Sequence, residues 1–173
     1  MKIESGFLKL KINNMKKLED FDIESFLSLH DYADEKRKSR RKGPGGTQEF
    51  FTPYELVKKM CDNISDEEWS DSTKTFLEPC FGNGQFLLYI IYMRLIHGVD
   101  IKDILSTIYG VELVESNVKQ TKDRIFELLD NLCILYNRDE LLKIIDRNLV
   151  CSDLFEWDFD NWCKLENVKN KNK

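Results

Sequence analysis

The stretch TFLEPCFGNGQFLLYII, residues 75–91, constrains the fold more than any other part of the chain. Its short apolar segment predicts a strand over about 74–78, and the apolar residues that follow predict a helix over about 84–96. Between them, Gly82 and Gly84 permit a sharp turn and the close approach of a ligand to the backbone. A strand, a glycine loop and a helix in this order are typical of folds that bind nucleotide-like ligands, although a tight turn without a ligand has the same pattern.

Two further strands follow, and helical patterns fill the intervals between them. We predict these strands over 108–113 and 148–153, and the helices over 100–107, 115–136 and 138–145. Strands that alternate with helices indicate an α/β fold with a parallel sheet, right-handed crossovers and helices on both faces. The chain is therefore expected to contain three parallel strands with flanking helices.

Residues 1–47 are expected to form a helical and basic arm with a linker. One helix is predicted over about 15–32. Its expected apolar positions are Leu18, Phe21, Phe26 and Leu29. The run KRKSRRK (36–42) then carries six basic residues in seven, and GPGG (43–46) predicts a flexible joint. The basic run has two interpretations, a contact with phosphate backbones or a solvated helix end.

The segment FFTPYELVKKMCDNI (50–64) predicts a helix with a defined beginning. Thr52 is the expected N-cap, Pro53 occupies the first helical position, and Glu55 completes a capping box. The sequence SDEE (65–68) repeats this capping pattern and predicts a second, shorter helix that carries Trp69.

Composition excludes several classes of protein. The 26 basic and 31 acidic residues give no net positive charge that would indicate nucleic-acid binding. No run of 18 apolar residues occurs, so a membrane span is not expected, and Met1–Leu10 lacks the apolar core of a signal peptide. The five cysteines show no CxxC spacing, which predicts reduced thiols in a cytosolic protein and no metal site.

An acidic residue stands at or after the end of each predicted strand. In parallel sheets ligands bind at the carboxyl ends of the strands, where Glu78, Glu112 and Asp153 would lie. Glu78 can accept hydrogen bonds from an amine or a hydroxyl, Glu112 is placed to hold ribose hydroxyls, and Asp153 with the apolar groups after it suits an adenine ring. The simpler interpretation is that each is a solvated carboxylate. No GKS or GKT follows the loop, and Glu78 would repel phosphate, so S-adenosylmethionine fits better than ATP or NAD.

The chain resembles the amino-terminal part of the adenine-N6 DNA methyltransferases, which bind S-adenosylmethionine on a Rossmann-like class I methyltransferase fold. The resemblance covers residues 48–159 and consists of four motifs in the expected order. They are EFFTPYELVKKM (49–60), FLEPCFGNGQFL (76–87), GVELVESNVKQTKDRI (110–125) and NLVCSDLFEWDF (148–159). The resemblance implies a partial methyltransferase domain over 48–160. The polar, low-complexity composition at the end of the sequence predicts a disordered tail over 161–173.

The resemblance also implies roles for individual residues. The methionine end of S-adenosylmethionine would lie against Phe51, Thr52 and Pro53. The amino acid and sulfonium would be surrounded by the loop residues Glu78, Pro79, Gly82 and Gly84. The ribose would be bound by Glu112, and the adenine by Leu113, Asp153 and Leu154. Cys80 and Phe81 replace residues that are often small in the family, so Phe81 is expected either to cover the cofactor or to pack against the protein.

The family's catalytic motif is not present in the sequence. The family orients the target adenine with an Asn/Asp-Pro-Pro-aromatic motif after its fourth strand, and the three prolines of this chain, at 44, 53 and 79, form no Pro-Pro pair. We therefore assign no catalytic residue and expect the cofactor-binding part of a split or truncated enzyme that is inactive alone. The alternatives are a noncatalytic S-adenosylmethionine-binding module that regulates a full enzyme, and a methyltransferase for RNA or protein.

The expected partners follow from that interpretation. DNA would be contacted through a separate or missing half, or through the basic run 36–42. Since the family places its fourth strand beside the first, the strand at 74–78 would be left as an apolar edge. We therefore expect self-association, a partner chain that carries the second half, or marginal stability of the chain alone, and neither a membrane nor a metal. The resemblance also implies a location in the cytoplasm of a bacterium, or of the host cell for a phage-encoded protein.

Overall fold

Three parallel strands form the sheet of the computed structural model, which describes residues 18–29 and 51–162. They are β1 (Phe76–Glu78), β2 (Ile108–Glu112) and β3 (Leu149–Cys151), in the order β1-β2-β3. Leu77 pairs with Tyr109, and Val111 pairs with Val150. The predicted parallel α/β sheet is confirmed, with strands one to three residues shorter than expected. The basic run 36–42, the GPGG joint and residues 163–173 lie outside the described residues.

Helices flank the sheet and precede it. In chain order they are α1 (Ile23–Ser28), α2 (Tyr54–Cys61), α3 (Asp66–Ser70), α4 (Gln85–Ile96), α5 (Ile101–Thr107), α6 (Glu115–Asn131) and α7 (Arg138–Asn148). The sheet is covered where α6 and α7 pack against β2 and β3. Helix α4 packs against α1, α2, α5 and α6 and is apolar around most of its circumference, since Leu87, Leu88 and Ile91 are all fully buried. Within the described residues, no helix is long and apolar enough to cross a membrane.

Helix α6 ends five residues earlier than predicted. Cys133 adopts a left-handed conformation with φ 55°, and its backbone N–H donates to the carbonyl of Asp130 at 3.0 Å. The N–H of Ile134 donates to the carbonyl of Leu129 at 3.0 Å, which completes a Schellman motif. The apolar residues after Asn131 therefore continue the helical pattern in the sequence but not in the structure.

The helix predicted over 15–32 is interrupted within the described residues, because residues 18–19 and 23–28 are helical and residues 20–22 are not. Helix α1 begins only at Ile23, because the Oδ1 atom of Asp22 accepts a hydrogen bond from the N–H of Ser25 at 2.9 Å and caps it there. Of the four expected apolar positions, Leu29 is 67% exposed and lies away from the core. The core contacts come from Leu18, Ile23, Phe26 and Leu27, which belong to the same apolar cluster as α4 and β2.

The two predicted capping boxes have different outcomes. The prediction that Thr52 caps a helix is wrong, because Pro53 takes the N-cap position in an extended conformation and no side chain caps α2. At α3 the box is confirmed. The Oγ atom of Ser65 accepts from the N–H of Glu68, whose carboxylate accepts from the N–H of Ser65.

Two buried side chains that lie outside the strands hold the sheet in place through hydrogen bonds and ring contacts. The guanidinium of Arg94 donates to the Oγ1 atom of Thr107 and to the carbonyl of Asp71, both at 2.7 Å, and so links the segments that enter β2 and β1. The indole of Trp162 lies edge-on to Tyr109 and donates to the carbonyl of Arg147 at 3.1 Å. Trp162 is buried although the predicted division of the chain assigns it to the tail.

Candidate functional site

The loops at the carboxyl ends of the three strands lie together at one edge of the sheet. The N–H of Phe81, in the loop after β1, donates to the carbonyl of Val111 in β2 at 3.3 Å. The N–H of Ser152, just after β3, donates to the carbonyl of Glu112 at 3.0 Å. The two outer loops are therefore bound to the end of the middle strand, which gathers the predicted acidic residues around it.

Glu112 is the organising group of this edge. Its Oε2 atom accepts a hydrogen bond from the N–H of Gly82 at 2.8 Å, and its Oε1 atom accepts from the N–H of Val114 at 2.8 Å. The side-chain amide of Asn117 donates to the same Oε1 atom at 3.4 Å. A carboxylate has about four acceptor positions, so Glu112 retains acceptor capacity for a ligand while it is 8% exposed.

Each loop glycine is required by its conformation and by a neighbouring side chain. Gly82 has φ +53°, and a Cβ atom there would lie 2.9 Å from the ring of Phe51. Gly84 has φ +85°, and a Cβ atom there would lie 2.6 Å from the Cγ2 atom of Thr121. Thr121 also donates from Oγ1 to the carbonyl of Gly82 at 3.1 Å. Both glycines are therefore explained by packing within the protein, and the ring of Phe51 lies at the loop.

Phe81 is a packing residue. It is 5% exposed, and a Cβ atom at Gly110 would lie 2.5 Å from its ring. The absence of a side chain at Gly110, in the middle of β2, therefore provides the space that the ring occupies. Of the two roles considered for Phe81, the structure selects packing.

Three carboxylates act together on the loop. Burial raises the pKa of the Cys80 thiol, and the charges of Glu112, Glu78 and Asp153 raise it further. Burial also raises the pKa of Glu78, an effect that the hydrogen bond from the N–H of Cys80 reduces in part. The loop after β1 is therefore a region of negative potential, suited to a cationic group or to hydroxyl and amine donors and unsuited to phosphate.

The apolar residues at this edge are accessible. Leu113 is 61% exposed and Phe155 is 95% exposed. Leu154, which directly precedes Phe155, is half-buried. The Oδ1 atom of Asp153 accepts from the N–H of Phe155 at 2.9 Å, which holds this carboxylate in a turn after β3. An acceptor beside exposed apolar side chains is suited to a flat ring with an amino group.

The remaining predicted residues lie before and within this loop region. Thr52 is half-buried and Pro53 is exposed, and both follow Phe51 directly in the segment that reaches Gly82. Pro79 is exposed at the end of β1, next to Glu78. The structure thus places these residues at or beside the loop, and their contacts with a ligand stay a prediction.

Sequence reasoning missed three buried polar residues, which are Asn83 in the loop, Gln85 directly after it and Arg124 on α6. Arg124 donates from Nη1 to the carbonyl of Asn83 at 2.7 Å, and from Nη2 to the Oε1 atom of Gln85 at 3.4 Å. All three residues are at least 97% buried. The sequence does contain one indication that Arg124 is buried. Asn117, Thr121 and Arg124 follow one another at helical spacing on the face of α6 that also carries the apolar Leu128.

Asn83 differs from its neighbours in having a side chain without a hydrogen-bond partner. Across residues 18–29 and 51–162, its Oδ1 and Nδ2 atoms are among the few buried side-chain polar atoms that have none. Buried amides are nearly always paired, so the unpartnered amide in the glycine loop is the kind of group that a bound ligand would satisfy.

A concave region lies away from the strand ends. It is an open groove of about 440 Å³ on the later half of α6. Its walls are Asp123, Phe126, Glu127, Asp130, Asn131 and Arg138. The loop edge is the stronger candidate because its polar groups converge from three strand ends. In the part of the chain that the structure describes, no group of three or more His, Cys, Asp or Glu residues is arranged to hold a metal ion.

Comparisons of the chain with protein-family models, with curated proteins and with solved structures found no match. The site must therefore be interpreted from its own chemistry. Carboxylates are acceptors of the kind that the ammonium group, ribose hydroxyls and adenine amine of S-adenosylmethionine would require, and this molecule has no phosphate for them to repel.

Proposed function

We propose that the chain is the S-adenosylmethionine-binding part of an adenine-N6 DNA methyltransferase with a class I methyltransferase fold. The observation that carries the proposal is the hydrogen bond from the N–H of Gly82 to Glu112, which joins the glycine loop to the acidic end of β2. The charges of Glu78 and Asp153, with that of Glu112, raise the pKa of Cys80 in the same loop. This proximity of three carboxylates supports their proposed roles as acceptors for an amine, a ribose and an adenine amine.

Each residue has one function in this proposal. Glu78 accepts from the ammonium group, and its negative environment favours the cationic sulfonium. Glu112 accepts from a ribose hydroxyl with its remaining lone pairs, and Asp153 accepts from the adenine amine beside Leu113 and Leu154. The bound cofactor supplies an activated methyl group. The Asn/Asp-Pro-Pro-aromatic motif that orients a target adenine is not among these 173 residues, so another polypeptide segment supplies it.

The site is tested by calorimetric titration of the protein with S-adenosylmethionine, in comparison with Gly84→Val and Asp153→Ala. We expect the first variant to abolish binding, because its Cβ atom would meet Thr121. The second variant is expected to weaken binding by about tenfold, the effect of one lost hydrogen bond to a charged group.

Gly98→Val is the matched control for the loop variant. Gly98 also has a positive φ, +80°, but no atom lies within 4 Å of the position of its Cβ. It lies after α4, away from the strand ends, so it imposes backbone strain without touching the site. Equal binding by all four proteins would contradict the proposed site.

The proposed partner is a chain or segment that continues the sheet at β1 and carries the catalytic motif. Among the described residues, β1 has a hydrogen-bonded neighbour on one side only, and its Leu77 is 51% exposed. Such an edge favours strand pairing with another segment. DNA would be bound by the completed assembly, with the basic run 36–42 as a further candidate contact.

A further inference from the structure

Helix α1 is joined to the glycine loop by a buried polar network. Arg124 lies between them and is 1% exposed. Its Nη1 atom donates to the carbonyl of Asn83 in the loop at 2.7 Å, and its Nη2 atom donates to the carbonyl of Leu27 in α1 at 3.4 Å. The side-chain amide of Gln85, which follows the loop, donates to the same Leu27 carbonyl at 3.2 Å. One guanidinium therefore bridges two segments that are far apart in sequence.

The position of the Leu27 carbonyl explains why this bridge is specific. The last four carbonyl groups of a helix have no partner within the helix, and α1 ends at Ser28. A buried carbonyl of that kind requires a donor from elsewhere, and a cation is the favoured one at a helix carboxyl end. The ring of Phe26 lies 5.8 Å from the Arg124 guanidinium, which adds a cation–π contact to the same side of α1.

The other end of α1 is also attached to the domain. The hydroxyl of Tyr92 donates to the carbonyl of Leu18 at 3.0 Å and lies 3.3 Å from that of Phe21. Helix α1 is therefore held at both ends by groups of the domain, and the attachment at its carboxyl end is shared with the glycine loop.

We propose that Arg124 is a positioning residue that couples the docking of α1 to the conformation of the glycine loop. A change that loosens α1 then also loosens the loop, and a change at Arg124 loosens both. A consequence that rests on the proposed function is that S-adenosylmethionine affinity depends on α1, so whatever is attached to this helix in the assembly can regulate cofactor binding.

The coupling is tested without any ligand, by hydrogen exchange of backbone amides in the full chain. The reporters are Gly84, whose N–H donates to Phe81, and Leu29, whose N–H donates to Ser25. Arg124→Lys keeps the charge but loses the planar fork that reaches both acceptors. We expect exchange at both reporters to accelerate by about tenfold together.

The second variant applies the change at the opposite end of α1. Asp22→Ala removes the N-cap of the helix without touching Arg124 or the loop. We expect exchange to accelerate by about fivefold at Leu29 and also at Gly84. The matched control is Arg94→Lys, since Arg94 is equally buried but binds Thr107 and Asp71 at the other edge of the sheet. Acceleration in α1 alone after Asp22→Ala, or equal acceleration at Gly84 after Arg94→Lys, would overturn the coupling.

Titration with S-adenosylmethionine then tests the consequence. We expect Arg124→Lys and Asp22→Ala to raise the dissociation constant by about tenfold and fivefold with unchanged stoichiometry, and Arg94→Lys to leave it unchanged. If the variants only unfold part of the protein, the stoichiometry falls while the affinity stays constant. That result would overturn the dependence of S-adenosylmethionine affinity on α1. If the unaltered chain binds no S-adenosylmethionine, the proposed function fails, and the exchange experiment still decides the coupling.

Discussion

Gly82 and Glu112 are separated by 30 residues in sequence, yet the N–H of the first donates to the Oε2 atom of the second at 2.8 Å. The other oxygen of the carboxylate is bound to the N–H of Val114. The same side chain that is proposed to bind ribose therefore also fixes the glycine loop, so the stability of the loop and the affinity for a ligand are expected to change together.

Glu112→Gln is expected to lower both stability and affinity. The substituted amide must direct its NH2 group toward the N–H of either Gly82 or Val114, and one of these donors loses its acceptor. We expect the free energy of unfolding to fall by about 1–3 kcal/mol and S-adenosylmethionine binding to weaken. Urea unfolding and titration measure the two effects. The control is Glu115→Gln, an exposed position on α6, where a loss of similar size would argue against the assigned role of Glu112.

Gly84→Ala is expected to lower the free energy of unfolding by more than the strain of its positive φ alone. Strain at such a φ costs about 1–3 kcal/mol, and contact with the Cγ2 atom of Thr121 adds to it. Thr121→Ser removes that methyl group and keeps the hydroxyl that donates to Gly82. We therefore expect the double variant to be more stable than the sum of the single changes predicts, by about 0.5–3 kcal/mol in urea unfolding. Strict additivity would show that Thr121 does not limit this position.

The pH dependence of stability should contain a contribution from Glu78. Burial raises the pKa of this carboxyl in the folded chain above its unfolded value of about 4.3. The folded chain therefore binds the proton more tightly, and stability decreases as pH rises from the unfolded pKa through the folded pKa. Glu78→Gln should remove this part of the pH profile and stabilise the chain at neutral pH. Urea unfolding between pH 4 and 8 measures it, with the exposed Glu156→Gln as control.

A cationic ligand at Glu78 should show the opposite pH dependence. An ammonium group favours the ionised carboxylate, so S-adenosylmethionine affinity should increase as pH rises through the folded pKa of Glu78. Glu78→Gln should flatten this increase. An affinity that decreases over the same range would place the ammonium group elsewhere.

Two fully buried asparagines should respond differently to truncation. Asn148 is paired, since its Nδ2 atom donates to the carbonyl of Leu105 at 2.8 Å, whereas the side-chain amide of Asn83 has no partner within the described residues. Asn148→Ala is expected to lower the free energy of unfolding by about 1–3 kcal/mol, and Asn83→Ala by much less. Thermal or urea unfolding compares them. An equal loss at both sites would show that the Asn83 amide is paired in solution.

The edge of β1 should promote association. We expect light scattering to detect concentration-dependent self-association or, with a partner chain, complex formation, and Leu77→Lys to suppress it because a charge blocks an edge strand. Leu135→Lys is the matched control, since Leu135 is 96% exposed and lies in the connection after α6. A monodisperse monomer whose β1 amides are protected from exchange by contacts within the chain would contradict this expectation.

The sheet and the glycine loop could be predicted because they depend on local patterns. Apolar runs indicate strands, and the two glycines mark a turn that other residues could not adopt without strain. The start of α2 could not be predicted from Thr52, because Pro53 remains extended and the helix begins at Tyr54. The roles of Arg124 and Gln85 were also inaccessible, because they depend on the carbonyl of Leu27, a group that every residue possesses and only the tertiary structure brings near.

The order of the strands determines which part of the candidate site is the last to unfold locally. Strand β2 is the one described strand with hydrogen-bonded neighbours on both sides, and Gly110 in its centre lies against Phe81 and Leu149. Local unfolding begins where backbone hydrogen bonds are fewest and most exposed. The outer strands β1 and β3 can therefore open while β2 keeps its hydrogen bonds. Glu112, at the end of β2, anchors the glycine loop to this most protected strand.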